Sequence, residues 1–91
     1  MLSVVMPTYN EGHHIRENIV HTLDVLRGLG PFELIPVDDG SSDDSRAELD
    51  RAAAEYPEVR PVMLAHSGKG EALRQGTRAA RGDWVIYLDA D

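Results

Sequence analysis

The sequence has no cysteine, which excludes a disulfide framework, a thiolate zinc site and a cysteine nucleophile. Lys69 is its one lysine among nine basic residues, set against sixteen carboxylates for a formal charge of −7. A surface of that sign repels a nucleic-acid backbone, so no nucleic-acid partner is expected. Aromatic residues make up 5% of the chain, and no apolar run nears the roughly 18 residues of a membrane-spanning helix. The start, Met1-Leu2-Ser3, lacks the basic segment and long apolar stretch of a secretory signal. What is present is 42% hydrophobic and 27% charged residues over 91 positions. That is the composition of one small globular unit, expected in the cytoplasm.

Strand-like and helix-like segments alternate along the chain. Leu2 to Met6 is a short apolar run closed by Pro7 and reads as a buried strand. Ile15, Ile19, Leu23 and Leu26 form a helical stripe, which Gly30 and Pro31 end. Phe32 to Val37 reads as a second strand, although Pro36 removes a ladder donor from it. Asp38 to Ser42 reads as a turn, and Ser41 with Asp44 matches a capping box for a helix reaching Tyr56. Val59 to Leu64 is a third strand, placed at an edge because of Pro61. His66 to Gly70 is a loop, a helix follows to about Arg81, and Trp84 to Leu88 is the fourth strand. This order predicts an α/β fold with a parallel sheet ordered 3-2-1-4 and helices on both faces. A topological switch point then lies between strands one and four, and ligands bind at the carboxyl ends there.

The polar segments of the sequence fall at those ends. Asp89 and Asp91, two apart after an apolar strand, present carboxylates to one side and suit a hard ion such as Mg²⁺ or Mn²⁺. A metal would also let an acidic protein hold an anionic diphosphate. Asp38 and Asp39 can accept hydrogen bonds from base or ribose, or can equally serve a Gly-Ser turn. Pro7 fixes the exit of the first strand, Tyr9 can stack beside a base, and Glu11 either reaches the ligand or only opens a helix. Lys69 between Gly68 and Gly70 precedes a helix N-terminus, with Arg74 one turn on, a setting for phosphate oxygens without the full P-loop pattern. His13, His14, His21 and His66 have no metal spacing, and the first three are expected on a solvated helix face. Because the chain delivers two carboxylates at its last three positions, it is expected to be the front part of a longer protein.

Taken together, Val4-Val5-Met6-Pro7-Thr8-Tyr9-Asn10-Glu11, Val37-Asp38-Asp39-Gly40-Ser41, Gly68-Lys69-Gly70-Glu71 and Gly82-Asp83 through Asp89-Ala90-Asp91 resemble the nucleotide-binding half of a family 2 glycosyltransferase of the GT-A fold. The Gly-Lys-Gly and Asp-Ala-Asp segments look most like polyprenyl-phosphate glycosyltransferases, the dolichyl-phosphate mannose synthases among them. The resemblance implies that Pro7, Tyr9 and Glu11 line a nucleotide pocket. Asp39 would read the base, with Asp38 supporting the turn. Asp89 and Asp91 would hold the metal and the ribose-diphosphate, and Lys69 and Arg74 would border the donor site. The implied reaction moves a sugar from a GDP- or UDP-linked donor to a polyprenyl phosphate or glycan. The acceptor region and any catalytic base would lie beyond Asp91, so residues 1–91 would bind the donor nucleotide alone, and the whole protein could sit at the cytoplasmic face of a membrane. Pro36 and His66 depart from the family pattern, which keeps an unbroken β-branched run and commonly an Asn at those places. Two other classes fit the alternation: a sugar-nucleotide nucleotidyltransferase, which needs a Gly- and Arg-rich loop after strand one, and a receiver-like signalling domain, whose acidic pair should follow strand one.

Overall fold

The computed structural model describes residues 1–89. Four parallel strands, β1 (Leu2–Thr8), β2 (Phe32–Asp39), β3 (Val62–Leu64) and β4 (Trp84–Tyr87), form one sheet in the order β3-β2-β1-β4. Helices α1 (Ile15–Leu26), α2 (Ser45–Glu55) and α3 (Lys69–Ala79) make the crossovers. The topology is the expected one. Side-chain alternation along the two central strands divides the core between the faces. Val4, Met6 and Leu34 pack against Ile15, Ile19, Leu23 and Leu26 of α1 and Leu49 and Ala52 of α2. Val5, Ile35 and Val37 point the other way, onto Ala72 of α3. Each fully buried Leu or Ile on the α1 stripe contributes about 1.5–3 kcal/mol, which makes that stripe the main anchor of its helix. On the opposite face α3 comes so close that a Cβ added at Gly76 would sit 2.4 Å from Val5 Cγ1 and 2.9 Å from Val37 Cγ2.

The element ends differ from the sequence reading for definable reasons. Strand β1 runs through Pro7 to Thr8, and β2 runs on to Asp39, so Asp38 and Asp39 are strand residues and not a turn. Pro36 sits in a central strand without losing a bond. The Leu34 N–H donates to Glu58 O and its carbonyl accepts from the Arg60 N–H, both at 2.9 Å. By the two-residue period Pro36 faces the same neighbour, where the ladder is interrupted between the Leu34–Val59 bridge and the Val37–Val62 pair. The same interruption, at Arg60-Pro61, confines the edge strand β3 to three residues instead of Val59–Leu64.

The capping box is also absent: α2 starts at Ser45 with Asp44 as N-cap and no side-chain cap bond. The Ser41 hydroxyl is instead engaged by Asp38 and by the Asn10 N–H. Helix α3 begins at Lys69, inside the expected loop, and ends at Ala79. His13 and His14 precede α1, and only His21 lies on its exposed face.

At the amino ends of the strands a buried carboxylate ties the sheet to its connections. Glu33 Oε2 accepts from the Ser3 hydroxyl and the Arg81 N–H, each at 2.6 Å, and Oε1 accepts from Arg60 Nε at 2.7 Å. Arg60 also donates to Ala79 O at 2.7 Å, and the Gly82 N–H donates to Ser3 Oγ at 2.8 Å. Burial, the largest single influence, pushes the Glu33 carboxyl up, but the Ser3, Arg81 and Arg60 donors together outweigh it and hold its pKa below the usual value of 4.5. Ionised Glu33 therefore contributes stability that is complete above about pH 4.5 and is lost as the pH falls through the lower folded value. Urea denaturation midpoints should fall from pH 5 to pH 3 in the native protein and less steeply in Glu33→Gln. Parallel pH profiles for the two proteins would show that the charge of Glu33 contributes nothing.

Candidate functional site

The carboxyl ends of the strands surround a cavity of about 290 Å³. Strand β1 and the loop after it supply Pro7, Thr8, Tyr9 and Glu11, and β2 supplies Asp39. The segment after β3 brings His66 and Gly68, α3 adds Lys69 and Ala72, and the segment after β4 brings Asp89. Six residues singled out in the sequence thus meet: Pro7, Tyr9, Glu11, Asp39, Lys69 and Asp89. Asp38 and Arg74 do not reach the cavity, and Asp91 lies outside the described residues.

Two loops of the rim are stitched to each other. The Asn10 N–H donates to Ser41 Oγ at 2.8 Å and the Ser42 N–H to Asn10 Oδ1 at 2.9 Å. The Glu11 N–H donates to Ser45 Oγ at 3.0 Å and the Gly12 N–H to Asp43 Oδ2 at 3.1 Å. Asn10 takes a left-handed backbone, φ 51°, which Asn tolerates better than most residues. The Ser45 hydroxyl and N–H hold the Asp43 carboxyl below its usual range against the opposing effect of burial, and the Gly12 N–H adds to them. Glu11 is held further by His14, whose Nε2 lies 2.6 Å from Glu11 Oε2.

The two consecutive aspartates of β2 do different work. Asp38, fully buried, accepts from the Ser41 N–H and from Arg46 Nε, both at 2.9 Å. Arg46 then reaches Leu64 O at the end of β3. Asp39 points to the other face. Its Oδ1 accepts from the Ser67 N–H at 2.8 Å, and its Oδ2 accepts from the Gly68 N–H at 3.0 Å. His66 Nδ1 lies 3.1 Å from the same Oδ2 and 3.0 Å from the Asp39 carbonyl oxygen. The sequence left Asp39 as an acceptor for base or ribose or as a residue of the Gly-Ser turn; it is 5% exposed, lines the cavity and shapes the loop into α3.

Above Asp39 the rings of Tyr9 and His66 face each other, centroids 4.7 Å apart and 31° from parallel. At the mouth, Lys69 Nζ lies 2.6 Å from Asp89 Oδ1. Lys69 is the first residue of α3, so the helix N-terminus adds a partial positive charge beside it. Arg74 is exposed on α3, its Nε 4.0 Å from Glu71 Oε2. Among the described residues no three acidic or histidine side chains cluster to hold a metal ion by themselves. The donors on the cavity are carboxylate oxygens, the chemistry of a hard ion such as Mg²⁺ or Mn²⁺, which takes one or two carboxylates and keeps its other positions for water and phosphate. Asp89, 57% exposed at the mouth, fits that role.

Four further lining residues, Thr8, His66, Gly68 and Ala72, were given no site role from the sequence, although Thr8, His66 and Gly68 fall in the polar segments expected at the strand ends. Thr8 Oγ1 is buried without a hydrogen-bond partner among the described residues. His66 carried two signals, its position two residues after β3 and its departure from the family's usual Asn, and a search for metal spacing uses neither.

Residues 3–91 match the family defined as Glycosyl transferase family 2. The chain is 45% identical to an undecaprenyl-phosphate 4-deoxy-4-formamido-L-arabinose transferase of Pectobacterium carotovorum over 99% of its own length and 28% of that protein. It is 38% identical to the glycosyltransferase AglD of Haloferax volcanii, again over 99% of its length but 15% of that protein. Among solved structures it resembles a mannosyltransferase of Pyrobaculum calidifontis in complex with GDP-Man and Mn²⁺, with a TM-score of 0.84 and 32% identity, covering 99% of this chain and 27% of that one. It also resembles glucosyl-3-phosphoglycerate synthase of Mycobacterium tuberculosis in complex with Mn²⁺, UDP and glucosyl-3-phosphoglycerate, with a TM-score of 0.77 and 31% identity, covering 100% of this chain and 33% of that one. The chain therefore spans about a third or less of these relatives.

Asp39→Ala leaves the Ser67 and Gly68 N–H groups without their acceptor, at a cost of about 1–3 kcal/mol. Hydrogen exchange should accelerate at those two amides while β1 stays protected. Unchanged exchange at Ser67 and Gly68 would show that Asp39 does not hold the loop.

Proposed function

The chain belongs to glycosyl transferase family 2, and on that footing we propose that it forms the donor-binding part of an enzyme transferring a sugar from a GDP- or UDP-linked donor. The convergence of Pro7, Tyr9, Glu11, Asp39, Lys69 and Asp89 on one cavity carries this reading. Tyr9 offers its ring to the base, and Pro7 and Glu11 bound the nucleoside. Lys69, with the α3 N-terminus, attracts the diphosphate. Asp38 acts from behind, by fixing the β2–α2 turn through Ser41 and Arg46. Arg74 stands outside the cavity, and we assign it no donor contact.

Asp89, with Asp91, would hold Mg²⁺ or Mn²⁺. The ion supplies Lewis-acid stabilisation of the departing diphosphate. Lys69 faces Asp89 across the mouth, so a diphosphate bound there meets a cation from the protein as well. The solved relatives support the metal and the donor class, being complexed with Mn²⁺ and with GDP-Man or UDP. The undecaprenyl-phosphate transferases among the sequence relatives support a polyprenyl phosphate as acceptor, and a glycan is the other acceptor this chemistry admits. Residues that contact the acceptor are proposed to lie outside 1–91. No helix among the described residues is long and apolar enough to cross a membrane. An enzyme meeting a nucleotide donor and a lipid phosphate would work at the cytoplasmic face.

Family membership displaces the two other classes. The loop after β1 is Tyr9-Asn10-Glu11-Gly12-His13-His14, without the Arg-rich character of a nucleotidyltransferase, and the acidic pair Asp38-Asp39 closes β2 and not β1.

Calorimetry on the intact protein should find GDP or UDP binding that depends on Mn²⁺. Asp89→Asn should weaken it roughly 10- to 100-fold, as loss of a charged partner does. Thermal stability should hold, because the Asp89 side chain is largely exposed. Nucleotide binding that ignores Mn²⁺ and survives Asp89→Asn would remove the metal from this site.

A further inference from the structure

Lys69 and Asp89 stand where two hollows meet. One is the cavity of about 290 Å³ described above, and the other is a crevice of about 180 Å³ lined also by Pro7, Leu73, Tyr87 and Leu88. Across that boundary Lys69 Nζ lies 2.6 Å from Asp89 Oδ1. An ammonium N–H therefore already fills a lone pair of the carboxylate assigned to the ion. The Leu88 N–H donates to Val5 O at 3.0 Å, which fixes the chain one residue before Asp89 whether or not Lys69 touches it. Lys69 has room to turn. Its side chain is 62% exposed, and a Cβ built on either flanking glycine, Gly68 or Gly70, would meet nothing within 4 Å.

The charges of the pair cancel, so Lys69 with Asp89 presents no net attraction to a divalent ion arriving alone. Such an ion must displace the ammonium to reach Oδ1, and the ammonium then repels it from close by. A diphosphate changes the balance, because its oxygens are charged acceptors that suit a flexible lysine as well as a carboxylate does. We propose that Lys69 is a cation held in place of the metal, so that the site takes metal and diphosphate together and discriminates against either alone. This rests on the donor-binding reading above. Bare diphosphate is disfavoured for the complementary reason: once Lys69 turns to it, the uncovered Asp89 carboxylate repels it. The metal–diphosphate complex satisfies both side chains at once, with its cation toward Asp89 and its phosphate oxygens toward Lys69. Metal and nucleotide then raise one another's affinity by the same factor, as linkage requires. An ion pair this exposed adds little to the fold, so the effect of removing it falls on binding.

The test titrates Mn²⁺ alone into nucleotide-free protein, read by the EPR signal of the unbound ion, and GDP and UDP by calorimetry in saturating Mn²⁺. It compares the native protein with Lys69→Met, which keeps the stem without the charge, and with Lys69→Arg, which keeps the charge. Lys69→Met should bind Mn²⁺ alone about tenfold more tightly and the preferred nucleotide about tenfold more weakly, the size of one nearby charge. Lys69→Arg should keep the weak native affinity for Mn²⁺ alone. Adding Asp89→Asn to Lys69→Met should cancel the gain for Mn²⁺. Lys69 is the one lysine of the chain, so lysine labelled with ¹³C at Cε gives a single resonance. That resonance should stay in place with Mg²⁺ alone and move with Mg²⁺ and nucleotide together. Affinity for Mn²⁺ alone that is unchanged or lower in Lys69→Met would overturn the proposal while leaving the donor site in place. So would a lysine resonance that Mg²⁺ alone moves as far as Mg²⁺ with nucleotide. Failure of both GDP and UDP to bind the native protein with Mn²⁺ would remove the donor site itself, and this inference with it.

Discussion

Two adjacent carboxylates at the end of β2 are buried on opposite faces of one sheet, and the loops around the cavity are arranged by the need to satisfy them. An ionised carboxylate taken from water is penalised by several kcal/mol unless donors surround it. Asp38 finds Ser41 and Arg46 on the α2 side. Asp39 finds Ser67, Gly68 and His66 on the α3 side. Because successive strand residues point to opposite faces, one dipeptide organises both of its neighbouring loops. The alternation that separates the two hydrophobic layers thus also separates the two halves of the rim.

The rim has little freedom once those charges are met. Ser41, held by Asp38, is also the acceptor for the Asn10 N–H, so the loop after β1 inherits its position from β2. Glu11 follows through Ser45 and His14. At the other pole Glu33 performs the same service for the connections around Arg60 and Arg81. Each end of the sheet is closed by a buried acid and its ring of donors. The cavity lies at the carboxyl end, where the strands end on polar loops that diverge to different helices.

What the sequence made legible were the features set by periodicity. The Ile15, Ile19, Leu23, Leu26 stripe is buried as its spacing predicts, and strand order followed from β-α alternation. Less legible were features set by partners far along the chain. Ser41 looks like the start of a capping box until Asp38 and Asn10 claim its hydroxyl. Pro36 looks like a fault in β2 until the break in the ladder at Arg60-Pro61 comes to lie beside it. Asp39 looked like a ligand acceptor or a turn residue, since nothing local shows that Ser67 and Gly68 return to it across 28 and 29 residues. His66 was given no site role for the same reason.

Gly76 gives the fold a fulcrum. Helix α3 rests on Val5 and Val37 at that point, and Lys69 stands seven residues away at its N-terminal end, roughly 10 Å along the axis. Any bulk at the pivot lifts the helix, and the far end of the lever swings through a larger arc than the pivot itself. The position of the cationic tip over the cavity is therefore calibrated by the missing side chain of a residue that never meets the ligand. In this architecture the thickness of one hydrophobic layer sets the height of a charge above the opposite end of the helix.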